Sequence, residues 1–258
     1  MPQRPRRHTT APRVYEIAAD LRSRIEANEF PPGSRLPSTR VLSQRYGISE
    51  QAIARVMREL KNEGLVVGRK GAGVFVREWN PLTYWPQSEF QKRPSGVDIF
   101  RALLDEQGLD GVQNIEVYTE SPTEAIRARL QLAREEVAVR RRTSLIDGKP
   151  YYTDDSYVAL DLVEGSDWMH DGSIERGTNQ VLAELGYELV EAIDEIYIRM
   201  PKPDETERLA LSEGTPVAEL ISTAHDASGR PIQVTVCVLP GDRQKIVYQR
   251  IKPQEEGA

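Results

Sequence analysis

The chain has one cysteine among 258 residues, three histidines, and no run of about 18 apolar residues that could cross a bilayer. A single thiol excludes an intramolecular disulfide framework and suits a reducing compartment. Cys237 stands in an apolar, strand-like stretch, where a lone thiol reads as core filler rather than as a nucleophile or redox sensor. His8, His170 and His225 are scattered, with no metal-ligand spacing and no Ser-His-Asp grouping, so no catalytic residue, metal or cofactor is expected. The opening MPQRPRRHTT lacks the apolar stretch of a signal peptide. These absences lead us to expect a soluble, cytoplasmic protein with no membrane partner.

Charge is present in quantity and unevenly placed. Residues 1 to 77 carry 15 Lys and Arg against 7 Asp and Glu, a balance of +8, and the remainder carries 19 against 33, a balance of −14. The total of −6 therefore hides a basic head on an acidic body. Such a head attracts polyanions, while the body repels them and confines contact to one end. The length suits two domains. We place them at 1–78 and 96–252, with a linker at 79–95. That linker holds Pro81, Pro86 and Pro94, which discourage regular structure, and Trp79, Tyr84, Trp85 and Phe90, which imply that it docks on something. Residues 97–107 then read as a short amphipathic helix.

In the head, Val14, Ile17, Ala18, Leu21 and Ile25 recur at spacings of three and four, one face of a helix, with Glu16, Asp20, Arg22 and Arg24 opposite. Pro31, Pro32 and Gly33 stop it. Pro37, Ser38 and Thr39 open the next helix, where free backbone N–H groups can meet a phosphate, and Val41, Leu42 and Tyr46 are expected to face inward. Gly47 allows a positive-φ turn and Ser49 caps a second helix whose buried stripe is Ala52, Ile53, Val56, Met57 and Leu60. Gln51, Ala54, Arg55 and Arg58 fall elsewhere on that helix, available to a groove. After Gly64, the alternation at Val66, Val74 and Val76, with Gly71 and Gly73 between, suits two short strands and a turn carrying Arg69 and Lys70. Helix, turn, helix and hairpin, with arginines throughout, is the order of a winged helix-turn-helix gripping double-stranded DNA. The basic arm before it lies along a groove or only adds nonspecific attraction.

The stretch from Pro32 to Val76, with the YEIAADLRSRI helix before it, the PPGSRLPS segment, EGL and the closing GVFV, resembles the GntR family of bacterial transcription regulators. The resemblance implies DNA contacts from Ser38, Thr39, Arg40, Ser49, Glu50, Gln51, Arg55, Arg69, Lys70 and Gly71. Arg40 keeps the family's position toward phosphate or base, its alternative being a helix-surface ion pair, and Lys70 with Gly71 would reach the minor groove. Many relatives have arginine directly after the cap and again four residues later. Here those positions are Glu50 and Ala54, with Arg55 adjacent. Arginine forks favour guanine, glutamine pairs with adenine and glutamate accepts from cytosine N4, so the operator is expected to depart from the family consensus.

The body repeats itself. SPTEAIRARLQLAREEVAVRRRTSLIDGKP, from Ser121, returns as MPKPDETERLALSEGTPVAELISTAHDASGRP, from Met200. Arg129, Leu130 and Leu132 align with Arg208, Leu209 and Leu211; Asp147, Gly148 and Pro150 align with Asp226, Gly229 and Pro231 after a two-residue insertion. Two copies are too few for a solenoid and suit an antiparallel sheet of two similar halves. This resembles the UTRA effector-binding domain, the chorismate-lyase-like fold of the HutC subfamily of GntR regulators. It implies an α+β chain with a small-molecule pocket between the halves.

In that family the pocket is lined by strands flanking each Asp-Gly turn and by a helix N-terminus. An Arg-x-Arg pattern falls on Arg142 and Ser144, the first basic residue present and the second missing. The acidic position after the turn falls on Asp154, its counterpart in the second half on Gln233, and a later Tyr position on Leu239. Gly177 and Thr178 supply N–H groups where relatives hold an anion. Arg142 and Asp154 are alternatively a structural cross-strand ion pair. The missing arginine and tyrosine weigh against an aminosugar-phosphate ligand. The expectation is a homodimeric repressor on a pseudo-palindromic operator, released by a small molecule. The alternatives are a ligand-free domain serving dimerisation only, and a chorismate-lyase-like enzyme.

Overall fold

The computed structural model describes residues 10–69, 71–77, 81–90, 99–132 and 136–250. Lys70, Trp79, the basic arm, and residues 97–98 of the expected short helix lie outside the described residues. The chain divides into two compact units, 1–80 and 81–258.

In the first unit, α1 (Thr10–Glu26), α2 (Thr39–Tyr46) and α3 (Glu50–Asn62) precede a hairpin of β1 (Val66–Arg69) and β2 (Gly73–Val76). Leu21, Leu42, Ile53, Val56 and Leu60 are fully buried in its core. Ser38 and Ser49 are the caps, accepting from the backbone N–H of Val41 at 3.3 Å and of Ala52 at 3.2 Å. Gly47, at φ 63°, turns the chain between α2 and α3. Val41 does not face inward: it is 50% exposed. It lies about 100° around the helix from Leu42, and only Leu42 points at the core. The PGSRL segment adds a third rung to the hairpin, with Leu36 N–H donating to Val74 at 2.9 Å and Val76 N–H donating to Ser34 at 2.8 Å.

The second unit begins with β3 (Leu82–Tyr84), inside the stretch read as linker. It runs parallel to β10 (Gln244–Ile246), and its outer edge is covered by Gln107, whose amide accepts from Thr83 N–H at 2.9 Å and donates to Thr83 C=O at 3.2 Å. Prolines at 81 and 86 bound the strand rather than forbid it. Tyr84 and Trp85 pack on the core beside α4 (Ile99–Gln107).

The remaining elements follow in two similar passes. The first is β4 (Gly111–Glu120), α5 (Glu124–Leu130), β5 (Val137–Ile146) and β6 (Lys149–Ala159). After α6 (Leu160–Val163) and α7 (Thr178–Glu184) comes the second: β7 (Glu191–Arg199), α8 (Pro203–Arg208), β8 (Val217–His225) and β9 (Pro231–Pro240). The sheet order is β4-β5-β6-β9-β8-β7, antiparallel throughout. If Pro150 is matched to Pro231, Asp155 is equivalent to Val236, and these two residues are paired directly across β6 and β9. The pseudo-two-fold axis passes through that pair. Equivalent arginines cross it in both directions: Arg129 of α5 pairs with Glu195 on β7, and Arg208, at the end of α8, reaches Asp155 on β6 at 3.3 Å.

One sheet face carries α5 and α8, with Ile126 and Leu130 on Val137, Val139 and Val234, and Leu209 on Val217 and Val238. The other carries α4 at one end and α6 with α7 at the other. The helices α5 and α8 end on matching non-glycine residues at positive φ, Gln131 at 50° and Ala210 at 47°. A left-handed residue with a Cβ costs about 1–2 kcal/mol, of which glycine's greater unfolded-state freedom cancels about half. Ala210→Gly should therefore stabilise the second unit by about 0.5–1 kcal/mol, read as a higher urea midpoint at unchanged slope.

Candidate functional site

On the first unit, α3 presents Glu50, Gln51, Ala54, Arg55 and Arg58 to solvent while its other face is buried. Gln51, Arg55 and Arg58 follow an i, i+4, i+7 spacing and share one stripe. The unit's arginines fall into two sets. Arg22 pairs with Glu63, and Arg24 pairs with Glu29 while lying 4.7 Å from the Phe30 ring centre. Arg35, Arg40, Arg45, Arg55 and Arg58 make no ion pair among the described residues, so the helix-surface pair considered for Arg40 is not formed. Thr39 opens α2, Ser38 caps it, and Gly71 is exposed at the tip of the hairpin. Arg69 is braced 4.3 Å over the Phe75 ring. Sequence reasoning passed over Arg35, whose side chain lies against Gly73, where an added Cβ would come within 2.9 Å of its Nε. Its signal was position, in the PGSRL segment that completes the hairpin.

On the second unit a polar seam crosses the helix-α4 face between its two apolar clusters. Arg142 is its hub, donating to Asp154 Oδ1 at 2.6 Å, Ser156 Oγ at 3.1 Å and Thr178 Oγ1 at 3.3 Å. Ser156 and Thr235 share a 3.3 Å hydrogen bond across the axis, and Gln233 donates to Thr235 at 3.3 Å. Thus Arg142, Asp154 and Thr178 meet directly, and Gln233 joins them through Thr235. Register makes Thr235 the counterpart of Asp154; Gln233 is the counterpart of Tyr152, because the turn preceding β9 is longer. Ser144 is fully buried and accepts from Gln113 Nε2 at 3.0 Å, away from this hub. Gly177, at φ 80°, precedes α7 with its N–H donating to Ile174 at 2.8 Å, so that group is already engaged.

The missed residue is Arg140, 1% exposed, which donates to the carbonyls of Trp168 at 3.2 Å, His170 at 2.7 Å and Gly172. Burial, and then the neighbouring Arg142, pull it down to about 10, so it is still charged at neutral pH. Arg140 and Arg142 give the seam an Arg-x-Arg pair on one face, two residues upstream of the expected position. The clue was the RRR run inside an apolar strand. Burial raises the Asp154 carboxyl, with Arg142 opposing. A further hollow of about 260 Å³ lies against β7, β8 and β9, reached from the seam through Thr235. Among the described residues no cluster of His, Cys, Asp and Glu could hold a metal ion.

A profile described as the UTRA domain matches residues 106–245, more than half of the chain, and one described as bacterial regulatory proteins, gntR family, matches residues 14–76. The chain belongs to the GntR regulators that carry a UTRA domain. It is similar to an HTH-type transcriptional regulator of Streptomyces coelicolor, 28% identical over 243 residues, covering 90% of each chain. It is also similar to the HTH-type transcriptional repressor NagR of Bacillus subtilis, 23% identical over 244 residues, covering 92% of this chain and 94% of that one. A solved GntR-family regulator shares the fold with a TM-score of 0.68 at 24% identity, over 93% of this chain and 98% of the other. This GntR regulator is therefore a DNA-binding transcriptional regulator, and no helix among its described residues is long and apolar enough to cross a membrane.

The Arg142 hub generates a stability prediction. Arg142→Met leaves the Asp154 carboxylate buried without its counter-charge and should cost about 3–5 kcal/mol at neutral pH. A carboxyl raised in the folded state binds its proton more tightly there than in the unfolded chain, so acid favours folding in the window above the ordinary value of 3.8. The variant should thus regain stability relative to the parent as pH falls toward that value. Urea unfolding at pH 7 and pH 5 checks this, and an equal deficit at both would refute it.

Proposed function

We propose that this regulator is a cytoplasmic homodimeric repressor that binds a pseudo-palindromic operator and is released by a small molecule bound in its UTRA domain. The observation carrying this reading is the exposed Gln51, Arg55 and Arg58 stripe, free of internal ion pairs among the described residues, on a capped and well-packed α3. Ser38, Thr39, Arg40, Ser49, Arg69, Lys70 and Gly71 would anchor the phosphates and minor groove, and Glu50, Gln51 and Arg55 would read base edges. Arg142, Ser144, Asp154, Gly177, Thr178 and Gln233 would form or support the effector site. Effector binding would favour one arrangement of the dimer and shift its two heads off successive half-sites.

A second reading is favoured by the seam itself. Arg142 is already matched by Asp154, as in a domain that has lost its ligand and serves only dimerisation. A thermal-shift screen across metabolites with no stabilised hit would support that reading. Turnover of chorismate in a direct assay would instead point to an enzyme.

Fluorescence anisotropy with DNA from upstream of the protein's own gene, against a scrambled duplex at about 150 mM salt, tests the main reading. Binding confined to the upstream DNA is expected; equal, weak binding to both duplexes would count against it. Arg55→Ala should weaken the specific complex by about 1–3 kcal/mol and relax base preference, whereas Arg69→Ala should weaken both complexes alike and lower the salt slope by about one.

A further inference from the structure

The hollow beside the seam has the opposite chemistry to an anion site. It lies within the second unit, against β7, β8 and β9, with β3, the turn after it and Tyr248 closing it. At about 260 Å³ it is a little below the ~300 Å³ at which small-molecule pockets usually begin, so its occupant is small. Among the described residues its wall carries two charged side chains, Glu191 and Asp194, both acidic, and no Lys, Arg or His. Tyr248 donates to Asp194 at 3.1 Å, and burial, reinforced by Asp194, raises its phenol, which therefore stays a neutral donor. Ser222 stands on the same wall, 7% exposed, and its hydroxyl has no hydrogen-bond partner among the described residues. A hydroxyl so buried keeps its donor and acceptor for whatever enters.

The positive charge nearest this space along the hydrogen-bonded seam is already balanced. Arg142 is spent on Asp154, and the link from Arg142 to the hollow passes through two neutral hydroxyls, Ser156 and Thr235. An anion entering the hollow would meet two carboxylates and, among the described residues, no counter-charge on its wall. A cation would meet Asp194 and Glu191, an acceptor at Ser222, and the rings of Tyr84 and Tyr248, whose faces attract positive charge.

We propose that the effector carries a protonated or quaternary amine on a small apolar or aromatic body, seated in this hollow with its charge beside Asp194 and a hydrogen bond to Ser222. This rests on the reading that the second unit binds an effector, and it assigns the chemical class.

The test uses the full-length protein without DNA, with phenethylamine and benzyltrimethylammonium as cationic probes and 2-phenylethanol and 3-phenylpropanoate as neutral and anionic counterparts. Calorimetric titration and thermal shift should show saturable binding of at least one cationic probe at millimolar concentration, with the alcohol and carboxylate at least tenfold weaker. Asp194→Asn should weaken the cation at least tenfold and Ser222→Ala should weaken phenethylamine several-fold. Glu213→Gln, an exposed neutralisation outside the hollow, should change neither. Preference for the carboxylate, absence of cation binding, or cation binding unaltered by Asp194→Asn would overturn the proposal. Operator binding is measured separately, so a protein that binds the amine but no specific DNA would fail as a regulator while keeping this site.

Discussion

The antiparallel pairing of β6 with β9 is the constraint on which the second unit depends. It joins two halves that share a local plan, and its register places Asp155 against Val236 on the pseudo-two-fold axis. From that one register follow the Ser156 to Thr235 contact, the position of Asp154 beside Cys237, and the face on which each polar residue emerges. A slip of one residue would send Arg142 and Asp154 to the opposite side of the sheet. Asp155 helps hold the register, because it receives Arg141 from the neighbouring strand at 2.8 Å and Arg208 from the other half at 3.3 Å.

Much of this was legible in the residues. Helix caps at Ser38 and Ser49, the turn at Gly47 and the buried stripe of α3 follow from local rules that packing does not override. The repeat announced two halves because equivalent segments must bury equivalent faces, as Leu130 and Leu209 do. What stayed hidden depended on contacts between distant segments. Leu82–Tyr84 looked like linker because its partner strand lies far along the chain, at Gln244–Ile246. Arg140 stayed unmarked because its acceptors are carbonyls of a loop near Trp168, which no motif signals. Val41 was misplaced because a short helix has room for one inward residue per turn, and adjacent apolar residues compete for it.

The same distinction between satisfied and available groups runs through both units. In the head, Arg22 and Arg24 are tied down beside carboxylates, while the arginines of α2 and α3 have no ion-pair partner among the described residues. In the body, the conspicuous Arg142 is internally neutralised, and the polar groups on the wall of the hollow are, among the described residues, acidic, phenolic, amide and hydroxylic. Charge counted along the sequence points correctly to DNA for the head. For the body, the pairing of each charge matters more than its presence.

The short parallel pairing of β3 with β10 has a consequence for the hollow. It is a three-residue clasp at the start of the unit, shorter than any pairing within the six-stranded sheet, and it includes Tyr84 from the wall of the hollow. It fixes where the chain that arrives from the DNA-binding head is anchored. Because Tyr84 belongs both to this clasp and to the wall of the hollow, whatever fills the hollow also borders the strand by which the chain enters the second unit.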